Sequence, residues 1–303
     1  METLRTPDDR FTDVPGFGYP PHFAEVADGE GGTLRMGYVE AGPAGGPVVL
    51  CLHGTPSWSF LYRTVLPVLA EAGLRAVAPD LVGFGRSDKP ARVGDHSYAR
   101  HVEWVRSLAL DALDLRDVTL VGHDWGGLIG LRLAAEHPDR FARLVATNTG
   151  LPTGDSPMPD IWWQFRQAVE RAEHLDVGRL VQSGCRTRLS QPVRAGYDAP
   201  FPDETYKAGP RAMPGLVPTT PDDPAAAANR AAWATLTASP TPMLVAFSDS
   251  DPVTGPMGPA LRRTMAGAQG RDHPTIAGAG HFLQEDAGED LARHVVAFVR
   301  ATA

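Results

Sequence analysis

The sequence predicts an α/β fold: a mostly parallel sheet, doubly wound by helices and interrupted once by an inserted helical unit. Two observations predict it. Short apolar runs of strand length alternate with helix-spaced segments up to Ala146, and that alternation stops over a proline-rich stretch before resuming. Element by element, residues 34–40 alternate as a strand with one solvated face, and 47–53 form a short apolar run closed by turn residues. Residues 58–72 carry helical spacing, with Gly73 as the stop. A strand at 75–79 is closed by Asp80, a helix covers 97–113, and a strand covers 117–122. A helix at 126–136 is ended by His137-Pro138, and 141–147 is again a strand. Strands of this kind, apolar and separated by helices, are buried on both faces.

The pattern then breaks. Eleven of the 28 prolines fall within residues 152–224, aromatic residues are interleaved, and 161–172 is the clearest helix there. A stretch this long exceeds an ordinary connection, so it is an inserted unit. Beyond it come a helix at 225–236, a strand at 243–247, a helix at 259–266, a strand at 274–276 and a last helix at 289–300. The expected organisation is a core made of residues 1–151 and 227–303, with a helical cap, 152–226, inserted after the sixth strand.

Composition narrows the function classes. The chain has 303 residues, 43% of them apolar, enough for a large core. A formal charge of −8 with singly scattered arginines argues against nucleic acid or an anionic membrane as partner. Two cysteines exclude a disulfide framework, and Cys51, in an apolar run, reads as a buried small hydrophobe. No signal peptide or uninterrupted apolar span is visible, so the expectation is a soluble, cytoplasmic protein, monomeric or a small homo-oligomer.

The chemistry is concentrated at Gly122-His123-Asp124-Trp125-Gly126, between a strand and a helix. The spacing is that of a G-x-S-x-G elbow with an acid in place of serine, which points to the α/β-hydrolase fold. Taken alone, an Asp before a helix can be a simple N-cap. Three companions give it a catalytic reading. His53-Gly54-Thr55-Pro56 ends an earlier strand, where a backbone N–H completes an oxyanion hole; the donors would be Thr55 and Trp125. His281, in Ala279-Gly280-His281-Phe282, lies where a triad base belongs. Ser248-Asp249-Ser250-Asp251-Pro252 follows a strand and supplies the acid, Asp251 being preferred and Asp249 assigned to shaping the turn. His123 is read as a supporting residue beside the nucleophile.

A carboxylate nucleophile attacking a saturated carbon forms an alkyl ester whose carbonyl belongs to the enzyme. Water deprotonated by His281 then attacks that ester, and the two N–H groups hold the oxyanion. Alkyl halides and epoxides are the substrates that fit.

With these motifs read, the chain resembles the haloalkane dehalogenases and their sister family, the epoxide hydrolases, over about residues 4–298. The two share His53-Gly54-Thr55-Pro56, Asp80-Leu81-Val82-Gly83-Phe84-Gly85-Arg86-Ser87 and His123-Asp124-Trp125-Gly126. The segment Gly196-Tyr197-Asp198-Ala199-Pro200-Phe201-Pro202-Asp203, with Tyr206-Lys207-Ala208-Gly209 and Gly280-His281-Phe282-Leu283-Gln284-Glu285, is similar to the dehalogenases whose triad acid follows the later strand. The resemblance implies hydrolysis of a haloalkane by water to alcohol, halide and a proton, with no cofactor and no metal. It departs at Thr55, where the family usually has Glu or Asn supporting the catalytic water or the halide.

A leaving halide in a desolvated pocket calls for indole N–H donors. Trp125 is the first candidate, and the second comes from Ile161-Trp162-Trp163-Gln164-Phe165 in the cap. Helical neighbours differ by about 100° in direction, so one of the pair faces the nucleophile; loose alignment favours Trp163. The alternative is an epoxide hydrolase on the same triad, which would use two cap tyrosines. Tyr197 and Tyr206 are read as structural. A non-catalytic binding protein of this fold would lack a triad member, and all three are present.

Overall fold

The computed structural model describes residues 1–302. Seven strands form the main sheet: β1 (His22–Ala27), β2 (Thr33–Ala41), β3 (Val48–Leu52), β4 (Arg75–Pro79), β5 (Val118–His123), β6 (Phe141–Thr147) and β7 (Met243–Val245). Their spatial order is β1-β2-β4-β3-β5-β6-β7. Pairings from β4 through β3, β5 and β6 to β7 are parallel. β2 pairs antiparallel with both β1 and β4, so it alone runs against the rest.

β3 and β5 lie at the centre and are almost wholly buried, which is why they read as apolar runs without alternation. β1 is the strand that the sequence pattern passes over. It is an edge strand with only Val26 buried, so it carries no hydrophobic signal. A tight turn fixes it to β2, with Asp28 Oδ1 accepting from Glu30 N at 2.7 Å and Gly32 N at 2.9 Å.

Helices α1 (Leu66–Glu71), α2 (Tyr98–Arg106) and α3 (Trp125–Glu136) connect the strands. The segment expected as one helix at 58–72 is a 3-10 turn, Ser59–Tyr62, followed by α1. Pro67 explains the break: it has no N–H, and its ring crowds the carbonyl of Arg63. α2 is capped by Ser97, whose hydroxyl accepts from Arg100 N at 3.2 Å, and it relaxes into a π turn at Ser107–Ala112. Winding leaves β3 in two directions, so right-handed crossovers place helices on both faces. α1 packs with α10 (Leu283–Ala301), while α2 and α8 (Ala226–Ala238) flank α3.

Between β6 and β7 the chain forms no strand. It makes α4 (Asp160–Arg171), α5 (Val177–Ser183), α6 (Gln191–Asp198) and α7 (Ala208–Ala212), a helical cap inserted after the sixth strand of the sheet. After β7, Phe247–Ser248 pairs in parallel with Thr275–Ile276, so the expected strand at 243–247 is split. α9 (Gly258–Thr264) lies between those two pieces. Cys51 is fully buried and, like Cys185, free. Among the described residues no helix is long and apolar enough to cross a membrane.

Candidate active site

The site is assembled at the carboxyl ends of the parallel strands, where an α/β sheet opens a crevice. Asp124 stands between β5 and α3 with φ 49° and ψ −123°, left-handed backbone for a residue with a side chain. The turn survives because its surroundings over-determine it. Asp124 N donates to Asn148 O at 3.1 Å, and Asp124 O accepts from Gly127 N at 2.9 Å and Thr149 Oγ1 at 2.7 Å. Close approach also explains the small neighbours. A Cβ on Gly122 would lie 2.7 Å from Gly127 Cα, and one on Gly126 would lie 2.0 Å from Leu52 O.

This geometry directs the Asp124 carboxylate away from the role of a helix cap: it bonds no N–H as an N-cap side chain. Its Oδ1 instead accepts from Thr55 N, from the turn after β3, at 2.8 Å. The Trp125 backbone N–H also faces the carboxylate. Burial pushes the Asp124 pKa up, opposed by His281 and by those two N–H groups.

His281 lies across from it, on the turn before α10. Its Nε2 is 3.7 Å from Asp124 Oδ2, and its Nδ1 is 3.0 Å from Asp251 Oδ2. Burial works against the imidazolium, yet Asp251 and Asp124 outweigh it and push His281 up to about 9. Burial would likewise raise Asp251. His281, the Thr254 hydroxyl and Val253 N–H together hold it well below the usual carboxylate range. Asp249 makes no contact of this kind. Its carboxylate accepts from Gly278 N at 2.8 Å and from Ser250 Oγ at 2.9 Å, which shapes the turn.

A cavity of about 510 Å³ opens above these groups. Thr55, Asp124, Trp125 and His281 form its floor, and Leu128, Val253 and Phe282 add apolar wall. From the cap, α4 presents Ile161, Trp162, Gln164, Phe165 and Ala168. That spacing is one helical face, and it corrects the sequence preference for Trp163. Trp163 is 37% exposed and does not line the cavity, whereas Trp162 is 5% exposed and does. The two rings meet edge to face at 4.8 Å, so the helical step of about 100° turns one inward and the other out. The Thr55 hydroxyl, the position of departure from the family, is buried without a partner at the cavity floor.

Two supporting residues complete the arrangement. His123 Nε2 donates to the His281 carbonyl at 2.8 Å, and burial drives its own pKa down to about 3, which keeps it neutral. The second is Asn148, in the turn after β6. It is a clamp: its amide nitrogen donates to Gly280 O and His281 O, each at 2.9 Å, and its side-chain oxygen accepts from Ser248 N at 2.9 Å. No linear motif announces it, because every partner of its side chain lies 100 or more residues away.

The elbow, the sheet and the site define a class, and the family model for the alpha/beta hydrolase fold matches residues 47–287. The chain is therefore an α/β hydrolase. It is 51% identical to a haloalkane dehalogenase of Psychrobacter cryohalolentis over 99% of this chain and 98% of that one. It is also 51% identical to haloalkane dehalogenase 1 of Mycobacterium tuberculosis, both chains being covered completely. Among solved structures, the tetrameric haloalkane dehalogenase of Paraglaciecola agarilytica superimposes with a TM-score of 0.89 at 34% identity, covering 97% of each chain. The chain belongs to the haloalkane dehalogenase family.

Proposed function

We propose that this chain hydrolyses carbon–halogen bonds of haloalkanes through an alkyl ester on Asp124, with residues 152–226 as the cap that closes the site. The observation that carries the reading is a carboxylate nucleophile facing a His281–Asp251 pair on the floor of a cavity walled by apolar groups and two indoles. Asp124 displaces the halide by attack on the sp³ carbon. His281 then takes a proton from water as that water attacks the ester carbonyl, and Asp251 stabilises the imidazolium formed. Thr55 N–H and Trp125 N–H hold the oxyanion. Halide, alcohol and a proton result, and every atom comes from haloalkane and water. A homo-oligomer is compatible with the tetrameric relative.

We assign the halide to the Trp125 and Trp162 indole N–H groups, which are the tryptophans lining the cavity. Trp162→Phe keeps most of the ring and removes the donor. Halide release from 1-bromobutane should fall at least about tenfold, against a typical 10²–10³ for the loss of one such donor. Trp163→Phe should change it little. The same panel includes styrene oxide. The epoxide reading needs acids from the cap, but neither Tyr197 nor Tyr206 lines the cavity, and Tyr197 O–H is bonded to Glu285. Hydration of styrene oxide without halide release from any bromoalkane would overturn the assignment.

The pH dependence should differ between the two steps. In the resting enzyme ionised Asp124 helps push His281 up. Alkylation neutralises Asp124, so the His281 pKa drops in the intermediate, below about 9. Only neutral imidazole can take the proton, so ester hydrolysis should rise with pH through that lowered value and then level off. Alkylation requires ionised Asp124 and should fail only in acid, at a pH higher than for an ordinary aspartate because burial raises this group. Rapid-quench measurement of both steps across pH would test this. An ester hydrolysis rate that falls as pH rises contradicts His281 as base.

A further inference from the structure

The turn carrying His281 is held to the core from one side and to the cap from the other. On the core side His123 and Asn148 donate to the His281 carbonyl, and Asp251 takes the ring. On the other side a single carboxylate, Asp286, bridges two segments. Its Oδ2 accepts from Gly280 N, immediately before His281, at 2.8 Å, and from Arg186 N at 2.8 Å. Its Oδ1 accepts from Thr187 N at 2.7 Å and Thr187 Oγ1 at 2.6 Å. Four donors saturate the four lone-pair positions of a carboxylate.

Residues 186 and 187 belong to the loop after cap helix α5, about 100 positions from Asp286. The two segments touch directly. Phe282 N donates to Gly184 O at 3.3 Å, and a Cβ on Gly280 would lie 2.3 Å from that same oxygen. Gly184, Cys185 and Arg186 line the catalytic cavity together with Gly280, His281 and Phe282. Asp286 stands on a first helical turn set apart from the rest of α10 by Ala287, at φ −151° and ψ 41°. Beside it, Glu285 pairs with core Arg63 and accepts from Tyr197 of cap helix α6, so the same turn grips the cap at a second place.

We propose that Asp286 is a positioning residue that couples the cap loop at 184–187 to the His281 turn and so sets the base for attack on the ester. This rests on the hydrolytic reading above. Alkylation needs Asp124 and the halide donors, none of which Asp286 touches. Ester hydrolysis needs His281 within reach of both a water and Asp251. Loosening the bridge therefore slows the second step and spares the first.

Asp286→Asn is a selective change, because its amide nitrogen would face either the Gly280 and Arg186 N–H groups or the Thr187 N–H, none of which can accept. Thr187→Val removes only the hydroxyl bond on the cap side, and Thr187→Ser restores it. The experiment follows the halide burst and the alkyl-enzyme, by intact mass, after rapid quench with 1-bromobutane. For Asp286→Asn, ester hydrolysis should slow by about five- to a hundredfold while alkylation stays within about twofold, so the ester accumulates. Thr187→Val should show the same imbalance to a smaller degree, and Thr187→Ser should behave as wild type. Equal slowing of both steps, or a silent Thr187→Val, would overturn the coupling and leave Asp286 closing only its own turn. If Asp286→Asn does not fold, the Thr187 pair decides alone. A wild-type enzyme releasing no halide would instead mean that the hydrolytic reading fails.

Discussion

Replacing Asp124 with alanine should abolish halide release from 1-bromobutane, a loss on the order of 10⁴–10⁶ in turnover, the range seen when a catalytic group of a covalent mechanism is removed. The magnitude follows from what else the cavity floor contains. Asp251 is the nearest other carboxylate, but it lies on the far side of the imidazole, held by His281, Thr254 and Val253. The Thr55 hydroxyl is neutral, and the nearby backbone groups are donors. Cys185 also lines the cavity, but burial pushes its thiol pKa up and disfavours the thiolate, so no other group there matches Asp124 as a nucleophile. The fold should survive: the alanine variant removes a carboxylate that burial disfavours, and the main-chain bonds to Asn148 and Gly127 remain. A thermal melt near wild type separates lost chemistry from lost structure. Residual turnover above about a tenth would reject Asp124 as nucleophile.

That Asp124 could be singled out from sequence at all has a physical reason. The elbow and the groups proposed as oxyanion donors, acid and base each sit where a strand or its following turn ends, and strand ends leave short linear signatures. Gly122 and Gly126 are there because a Cβ would strike backbone. Buried parallel strands such as β3 and β5 are equally legible, since both faces must be apolar. Edge strand β1 buries one residue and leaves no pattern. Cap helices α5 to α7 are short and packed by aromatic and proline residues, so periodicity cannot delimit them. The choice between Trp162 and Trp163 was decided by how α4 rotates against the core, which no local spacing encodes. Asn148 and Asp286 were invisible for the same reason. The side-chain partners of Asn148 and the cap partners of Asp286 are 99 to 133 residues distant, and a single polar residue in a turn carries no sign of where its hydrogen bonds go.

His281→Gln should fail differently from Asp124→Ala. Displacement of bromide requires an ionised carboxylate, an electrophilic carbon and donors for the halide; the imidazole takes no part in that bond change. Glutamine fills much of the same space but cannot accept the proton of the attacking water, so the reaction should stop at the ester. One equivalent of bromide should be released in a burst, with steady turnover down by roughly 10²–10⁴. Intact mass should rise by one butyl group, located by digestion to the peptide holding Asp124. The variant also removes the positive neighbour that opposes the burial penalty on Asp124, so the Asp124 pKa should climb further. The burst should therefore be slower than in wild type at acid pH and recover as pH is raised, which distinguishes a nucleophile that is under-ionised from one that is misplaced. Asp251 keeps its bonds to Thr254 and Val253 when His281 is replaced, so its charge stays held and the floor of the cavity should not collapse. Steady bromide release with no adduct at any pH would require a base other than His281, and among the described residues no other histidine lines the cavity to serve as one.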